Sequence, residues 1–143
     1  MRTGTWKILF MAALLFIMLG AFKRGPQVNN GEDLYREYCK SCHQRSGKGF
    51  LRVYPPLTDP EWIARDERIV GNILNGIKGE IVVEGKEYDG EMPSFYYLSD
   101  NQIAQIVNYV RTEIAGTGTS IDSVHVARLR SELLRDSLKI LTK

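Results

Sequence analysis

Three residues that can react with or bind a cofactor stand within five positions of one another: Cys39, Cys42 and His43. The whole chain has only two cysteines and two histidines, so this clustering is its main chemical feature. The order Cys-Lys-Ser-Cys-His is the C-x-x-C-H pattern of covalent c-type haem attachment. Two thiols one helical turn apart can each add to one haem vinyl group, and the histidine is then carried under the iron as an axial ligand. The spacing therefore predicts one haem c per chain, bound covalently through both cysteines.

Other chemistries of cysteine and histidine fit the surrounding sequence less well. A thioredoxin-like dithiol follows a strand, whereas residues 31–38 have a helical pattern of apolar positions. A zinc site needs a fourth ligand, and the second histidine, His125, has no cysteine beside it. A disulfide between the two cysteines would leave His43 without a role. These three alternatives stay open at the level of the sequence.

Met92 is the candidate for the second axial ligand of the iron. It lies in the segment Gly-Glu-Met-Pro, where Pro93 stiffens the loop. A lone methionine usually fills a core, but the other methionines all stand before residue 23. Two protein ligands would leave no position on the iron for a small-molecule substrate. This predicts one-electron transfer rather than catalysis.

Short secondary-structure elements must position these ligands. The apolar periodicity predicts a helix over residues 31–38, a middle helix over residues 66–77 and a helix over about residues 100–114 capped near Ser99. A small hairpin is predicted over residues 81–88, with its turn at residues 84–86. The predicted fold class is therefore all-α with one small hairpin before Met92.

With these elements in place, residues 28–115 resemble the class I c-type cytochromes, specifically the short bacterial monohaem domains. Gly31 and Tyr35 match the small residue and the aromatic residue of the family's N-terminal helix, and Ile106 and Tyr109 match the pair in its C-terminal helix. The resemblance implies that these two helices cross. It also implies a fold of about three to five short helices around a covalent haem.

Further site residues follow from the resemblance. Pro55-Pro56-Leu57 is similar to the family's Pro-x-Leu, whose proline carbonyl accepts a hydrogen bond from the second ring nitrogen of the haem histidine. The spacing to Leu57 assigns this role to Pro55, with Pro56 as the alternative. Trp62 and Tyr88 are candidates to line the haem or to contact its propionates. The alternative for both is that they are ordinary aromatic residues of the core.

Residues 1–27 are predicted to be a signal peptide or an uncleaved N-terminal membrane anchor. Two basic residues precede an apolar run over residues 8–22, and Lys23-Arg24-Gly25-Pro26 ends it. The run is long for a signal-peptide core and short for a membrane span. If it is not cleaved, residues 6–22 would hold the protein in the membrane. The predicted location is the periplasmic side of a bacterial inner membrane, anchored or secreted.

Residues 116–143 are predicted to be a linker and a C-terminal amphipathic helix. The segment Gly-Thr-Gly-Thr predicts a flexible joint, and Ser120 or Asp122 can cap the helix that follows. The apolar positions of this helix fall on one side: Val126, Leu129, Leu133, Leu134, Leu138 and Leu141. That side needs a partner surface, which is the same domain, another protein chain or a membrane surface.

The charge distribution excludes one class of function. The net charge is +2, but residues 28–115 carry ten basic and fourteen acidic residues, which does not suit a nucleic-acid-binding domain. The function predicted is a one-electron carrier, not an enzyme, between exported or membrane-bound redox partners such as a dehydrogenase, a quinol-oxidising complex, a reductase or an oxidase. The alternatives are a fixed haem subunit of a membrane oxidoreductase and a haem-based sensor from which Met92 departs.

Overall fold

The computed structural model describes residues 30–117 and 119–141, so the predicted signal or anchor segment, residues 1–27, lies outside the described residues. Within these ranges the elements are α1 (Gly31–Tyr38), α2 (Lys40–His43), α3 (Pro60–Ala64), α4 (Asp66–Asn75), β1 (Ile81–Val83), β2 (Lys86–Tyr88), α5 (Asp100–Tyr109) and α6 (Ser123–Leu141). A π-helical turn, Val110–Ile114, continues α5. None of the helices in these ranges is long and apolar enough to cross a membrane. The predicted all-α class with one hairpin and a C-terminal helix is confirmed.

Helices α1 and α5 cross at very close range. At Gly31 a β-carbon would overlap the Gln105 carbonyl and would lie 2.8 Å from Tyr109 Cβ, so the crossing requires glycine at this position. The rings of Tyr35 and Tyr109 pack beside it, with their centroids 5.3 Å apart. The crossing of the N-terminal and C-terminal helices is therefore present, and it is made by the residues that the resemblance implies.

Helix α4 ends at Asn75, earlier than the predicted Ile77. Gly76 has a φ of 72°, a left-handed conformation that costs glycine little. Ile77 then leaves the helical path and pairs with Met92 in an isolated antiparallel bridge. Because α4 ends early, the residues that follow it contact the loop that contains Met92.

The hairpin lies between α4 and that loop. Its two strands are antiparallel, with Ile81 opposite Tyr88. The turn consists of Glu84 and Gly85, with φ values of 51° and 70°. It is shorter than the predicted turn over residues 84–86, because two-residue turns with positive φ match the twist of paired strands.

The buried core lies between α1, α4, α5 and α6. Its fully buried aliphatic members include Leu34, Val70, Ile103, Val107 and Val126, each 0% exposed. Burying such a side chain contributes about 1.5–3 kcal/mol relative to leaving it in water. This core is the scaffold that fixes α1 and α5 against each other, with the two cysteines following α1.

Arg111 is a buried cation at the end of this core, with 1% of its surface exposed. Its guanidinium donates to the carbonyl oxygens of Ile63 at 2.8 Å and Ala64 at 3.0 Å and to Asp66 Oδ1 at 2.7 Å. These acceptors end α3 and begin α4, so Arg111 ties both helices to the end of α5. Asp66 Oδ2 also lies 2.8 Å from Nε2 of His125 in α6.

Helix α6 packs against α4 and α5 through its first half. Asp122 caps it by accepting a hydrogen bond from a backbone N–H in the first turn at 2.7 Å. Val126 and Leu129 are 0% and 3% exposed, whereas Leu134 and Leu138 are 45% and 61% exposed. The single wide apolar side that the sequence predicts is therefore divided. Its inner part is covered by the same chain, and its outer part faces solvent.

Candidate functional site

The two cysteines and the histidine stand on one short helical turn. The backbone N–H groups of Cys42 and His43 both donate to the carbonyl oxygen of Cys39, at 3.2 and 3.0 Å. No disulfide joins the two cysteines, so the structure does not support the disulfide alternative. Burial, with a contribution from Cys42, raises the pKa of the Cys39 thiol to about 12. A redox-active dithiol needs a depressed thiol pKa, so this environment does not favour the thioredoxin-like alternative.

His43 is almost fully buried, with 9% of its surface exposed, and one ring nitrogen is already occupied. Its Nδ1 lies 3.0 Å from the carbonyl oxygen of Pro55. A carbonyl can only accept a hydrogen bond, so Nδ1 carries the proton and Nε2 keeps its lone pair. Burial lowers the pKa of His43, and the hydrogen bond to Pro55 partly opposes that change. His43 is thus held neutral and oriented, as a metal ligand must be.

Met92 reaches the same cavity from a different part of the fold. Its backbone N–H and carbonyl exchange two hydrogen bonds with Ile77, both 3.0 Å long. At Gly76 a β-carbon would lie 2.9 Å from the carbonyl carbon of Pro93, so glycine lets the Met92 loop approach α4 closely. The methionine is partly buried. Two separate backbone contacts therefore fix its position in the wall.

One cavity joins these residues. It is an open cleft with about 1070 Å³ of empty space, a volume that includes open solvent. Its wall is largely apolar, and it contains seven of the eight predicted site residues: Cys39, Cys42, His43, Pro55, Leu57, Trp62 and Met92. Residues from α2, from the loop before α3, and from the loop after the hairpin therefore meet around one space.

Trp62 and Tyr88, the two aromatic candidates, differ in position. Trp62 lines the cavity and donates from Nε1 to the carbonyl oxygen of Val82 at 3.1 Å. The guanidinium carbon of Arg68 lies 4.8 Å from the centre of its ring. Tyr88 is 5% exposed and is not part of the cavity wall. Its place is in the hairpin opposite Ile81, so the structure supports the core alternative for Tyr88.

Most of the remaining wall residues are absent from the sequence predictions. Ile69 and Ile73 could have been identified, because they repeat on one face of the predicted middle helix. Tyr54, Asn72 and Phe95 also line the cavity, and no local pattern marks them. Tyr54 and Phe95 lie in loops, and Asn72 is a polar residue of α4, so their place in the wall depends on how distant segments pack.

The donor set and the wall fit a covalent haem. One largely apolar space is lined by the thiols of Cys39 and Cys42, the imidazole of His43 and the thioether sulfur of Met92. The imidazole is neutral, and its Nδ1 is hydrogen-bonded. Soft sulfur and imidazole are donors that suit haem iron. In the described part of the chain there is no group of three or more histidine, cysteine, aspartate or glutamate side chains arranged to hold a metal ion.

The sequence is similar to proteins of known type. The family described as "Cytochrome C oxidase, cbb3-type, subunit III" matches residues 26–110. A cytochrome c-552 of Thermus thermophilus is 33% identical over 104 residues, which cover 69% of this chain and 68% of that protein. A second Thermus thermophilus cytochrome c-552 is 35% identical over 88 residues, 58% of this chain and 66% of that protein.

A larger protein is also similar. The cytochrome c subunit of the quinone alcohol dehydrogenase of Gluconobacter oxydans is 33% identical over 92 residues, which cover 62% of this chain but 19% of that subunit. The chain thus spans about two thirds of the cytochromes c-552 and about a fifth of the dehydrogenase subunit. The family match includes α1 to α5 and the whole cavity wall. The chain therefore belongs to the class I c-type cytochromes, electron-transfer proteins that bind haem c covalently, here through Cys39 and Cys42.

Proposed function

We propose that this protein carries single electrons through a haem c whose iron has His43 and Met92 as axial ligands. The observation that carries the proposal is that both side chains line the cavity into which Cys39 and Cys42 also face. When bound, haem c supplies an iron that alternates between the ferric and ferrous states, and ligation by histidine and methionine raises its reduction potential.

The protein's own residues set the conditions for that exchange. Pro55 holds the imidazole of His43 in one tautomer and makes it a better donor. The bridge to Ile77 holds the backbone of Met92. The apolar wall, including Ile69, Ile73 and other aliphatic residues, lowers the local dielectric and so disfavours the more highly charged ferric state. The stronger imidazole donor favours the ferric state and lowers the reduction potential, whereas the apolar wall raises it.

Ligation on both sides of the iron distinguishes this function from the sensor alternative. A sensor needs an axial position that a small ligand can take easily, whereas Met92 is fixed by two backbone hydrogen bonds. A fixed subunit of a larger oxidoreductase is the second candidate. It is supported by the similarity to a dehydrogenase cytochrome subunit and by the exposed leucines of α6. Detergent extraction followed by sizing of the native complex separates the carrier from the subunit.

The location and partners follow from the same proposal. We place the protein on the periplasmic side of a bacterial inner membrane, because the apolar run over residues 8–22 has the layout of an export signal or anchor. The partners there would be redox proteins that donate and accept one electron. Residues 28–115 would form the cytochrome domain, with residues 1–27 and 116–143 as its N-terminal and C-terminal additions.

Substitution of Met92 tests the proposal. In the wild type, thioether ligation of the ferric haem should give a weak far-red absorption band, and the ferrous protein should resist carbon monoxide. Met92→Ala should abolish the band, lower the reduction potential and allow carbon monoxide to bind. Tyr97→Phe, at a residue 70% exposed in the following loop, serves as the control and should keep all three properties. Rapid carbon monoxide binding by the wild type would support the sensor instead.

A further inference from the structure

Arg130, in α6, contacts the segment that follows Met92. Helix α6 lies after residue 110, where the family match ends. The side chain of Arg130 is 16% exposed, which is low for an arginine. It is directed onto the loop between Met92 and α5 and not into solvent.

The guanidinium of Arg130 uses all three of its nitrogens at the junction of this loop with α5. Nη1 donates to the carbonyl oxygen of Tyr96 at 2.9 Å, and Nη2 donates to that of Leu98 at 2.7 Å. Nε donates to Asp100 Oδ1 at 2.8 Å, and the guanidinium carbon lies 5.0 Å from the centre of the Tyr96 ring. A planar group with fixed donor directions holds three acceptors in one geometry, which a lysine cannot do.

The loop that Arg130 holds is continuous with the cavity wall. Ser94 Oγ donates to the Leu74 carbonyl at 2.5 Å, and the backbone N–H of Phe95 donates to the Ile73 carbonyl at 2.9 Å. Phe95 itself lines the cavity. The segment from Met92 to α5 is therefore attached to α4 at its beginning and to α6 at its end.

Helix α6 is held in place by contacts other than those of Arg130. Val126 and Leu129, on the turn before Arg130, are buried against the core. Asn108 in α5 exchanges two hydrogen bonds with the backbone of Ile121, at 2.8 and 2.9 Å, just before the helix begins. The position of Arg130 relative to α5 is thus set by packing and by hydrogen bonds that do not involve Arg130.

We propose that Arg130 is a positioning residue that keeps the Met92 loop closed and so keeps the Met92 sulfur on the iron. This proposal rests on the ligation by Met92 proposed above. Without Arg130, the end of the loop loses two hydrogen bonds to a charged donor and α5 loses a third, and states in which the loop opens become more populated. An external ligand binds through those open states, so its binding becomes faster.

The test is the rate at which cyanide binds to the ferric full-length holoprotein. Arg130→Gln should bind cyanide about tenfold faster than the wild type, with a weaker far-red band and faster amide exchange at Leu98. Arg130→Lys should show a smaller increase, because it keeps the charge but not the three-donor geometry. Arg135→Gln, an exposed arginine on the same helix, should behave as the wild type.

A second control separates loop opening from general destabilisation. Gly31→Ala should destabilise the fold at the crossing of α1 and α5, away from the Met92 loop. If Arg130→Gln binds cyanide no faster than the wild type, or no faster than Gly31→Ala, the positioning role is overturned. A wild type that lacks the far-red band would overturn the ligation by Met92 itself, and the positioning role with it.

Discussion

At the scale of single residues, burial and one hydrogen bond determine the protonation states of His43 and Tyr35. His43 is neutral, and its Nδ1–H donates to the carbonyl oxygen of Pro55. Tyr35 follows the same rule. It is 1% exposed, its hydroxyl donates to the Gln44 carbonyl at 2.6 Å, and burial raises its pKa. Its phenol is therefore a stabilising group only while it keeps its proton.

Tyr35 predicts how stability depends on alkaline pH. Its folded-state pKa lies above the unfolded value of about 10, so the unfolded chain loses the proton first. The free energy of unfolding should therefore fall as the pH rises above about 10. Tyr35→Phe should cost about 1 kcal/mol at neutral pH through the lost hydrogen bond and should make the alkaline decline shallower. Chemical denaturation at pH 7 to 11 measures both effects, and an equally steep decline in the variant would contradict the assignment.

At the scale of elements, glycine permits the two close backbone approaches that position α1 and the Met92 loop. Gly31 lets α1 cross α5, and Gly76 lets the end of α4 meet the Met92 loop. The first contact orients the helix that precedes the cysteines. The second brings the methionine to the cavity. The cysteine-bearing segment and the methionine-bearing loop can therefore take their positions only because these two residues have no side chain.

Gly31→Ala should reduce stability without changing the chemistry of the site. The added methyl group would overlap the Gln105 carbonyl and approach Tyr109, and such overpacking costs about 1–3 kcal/mol. Gly71→Ala is the matched control, because the nearest atom to its β-carbon, Leu133 Cδ1, is 3.9 Å away within reach of ordinary contact. In the middle of α4 this change should stabilise by about 0.5–1 kcal/mol. Thermal unfolding of both variants checks the difference in sign.

At the scale of the whole molecule, α6 joins regions that are distant along the chain. It meets Asp66 at the start of α4 through His125 and the Met92 loop through Arg130, while Val126 and Leu129 fill the core. The outer side of the same helix presents Leu134, which is 45% exposed. One side of α6 thus packs against the rest of the domain, and the other side is exposed to solvent.

Removal of α6 should therefore weaken the fold. A variant ending at Gly116 loses the burial of Val126 and Leu129, worth about 1.5–3 kcal/mol each, so its melting temperature should fall by about 10 °C or more. Leu134→Ala in the full chain removes only an exposed side chain and should change the melting temperature little. Unchanged melting of the shortened protein would mean that α6 contributes its main contacts to another chain.

The sequence by itself determined which cofactor the protein binds, and the tertiary structure decided which residues surround that cofactor and fix its ligands. The cofactor followed from Cys39, Cys42 and His43, because thioether attachment and ligation are set by local spacing. Most of the helices and the hairpin followed from periodicity and turn residues. The end of α4 at Asn75 was missed because a long-range bridge to Met92 competes with the helix, and the short helix α3 was not predicted at all. The position of Tyr88 outside the cavity and the contacts of Arg130 could not be predicted, because they depend on how distant segments pack. Residue spacing is a local property that can be read directly from the sequence. A cavity wall is formed by segments that are distant in the sequence, and their contacts arise only when the chain folds.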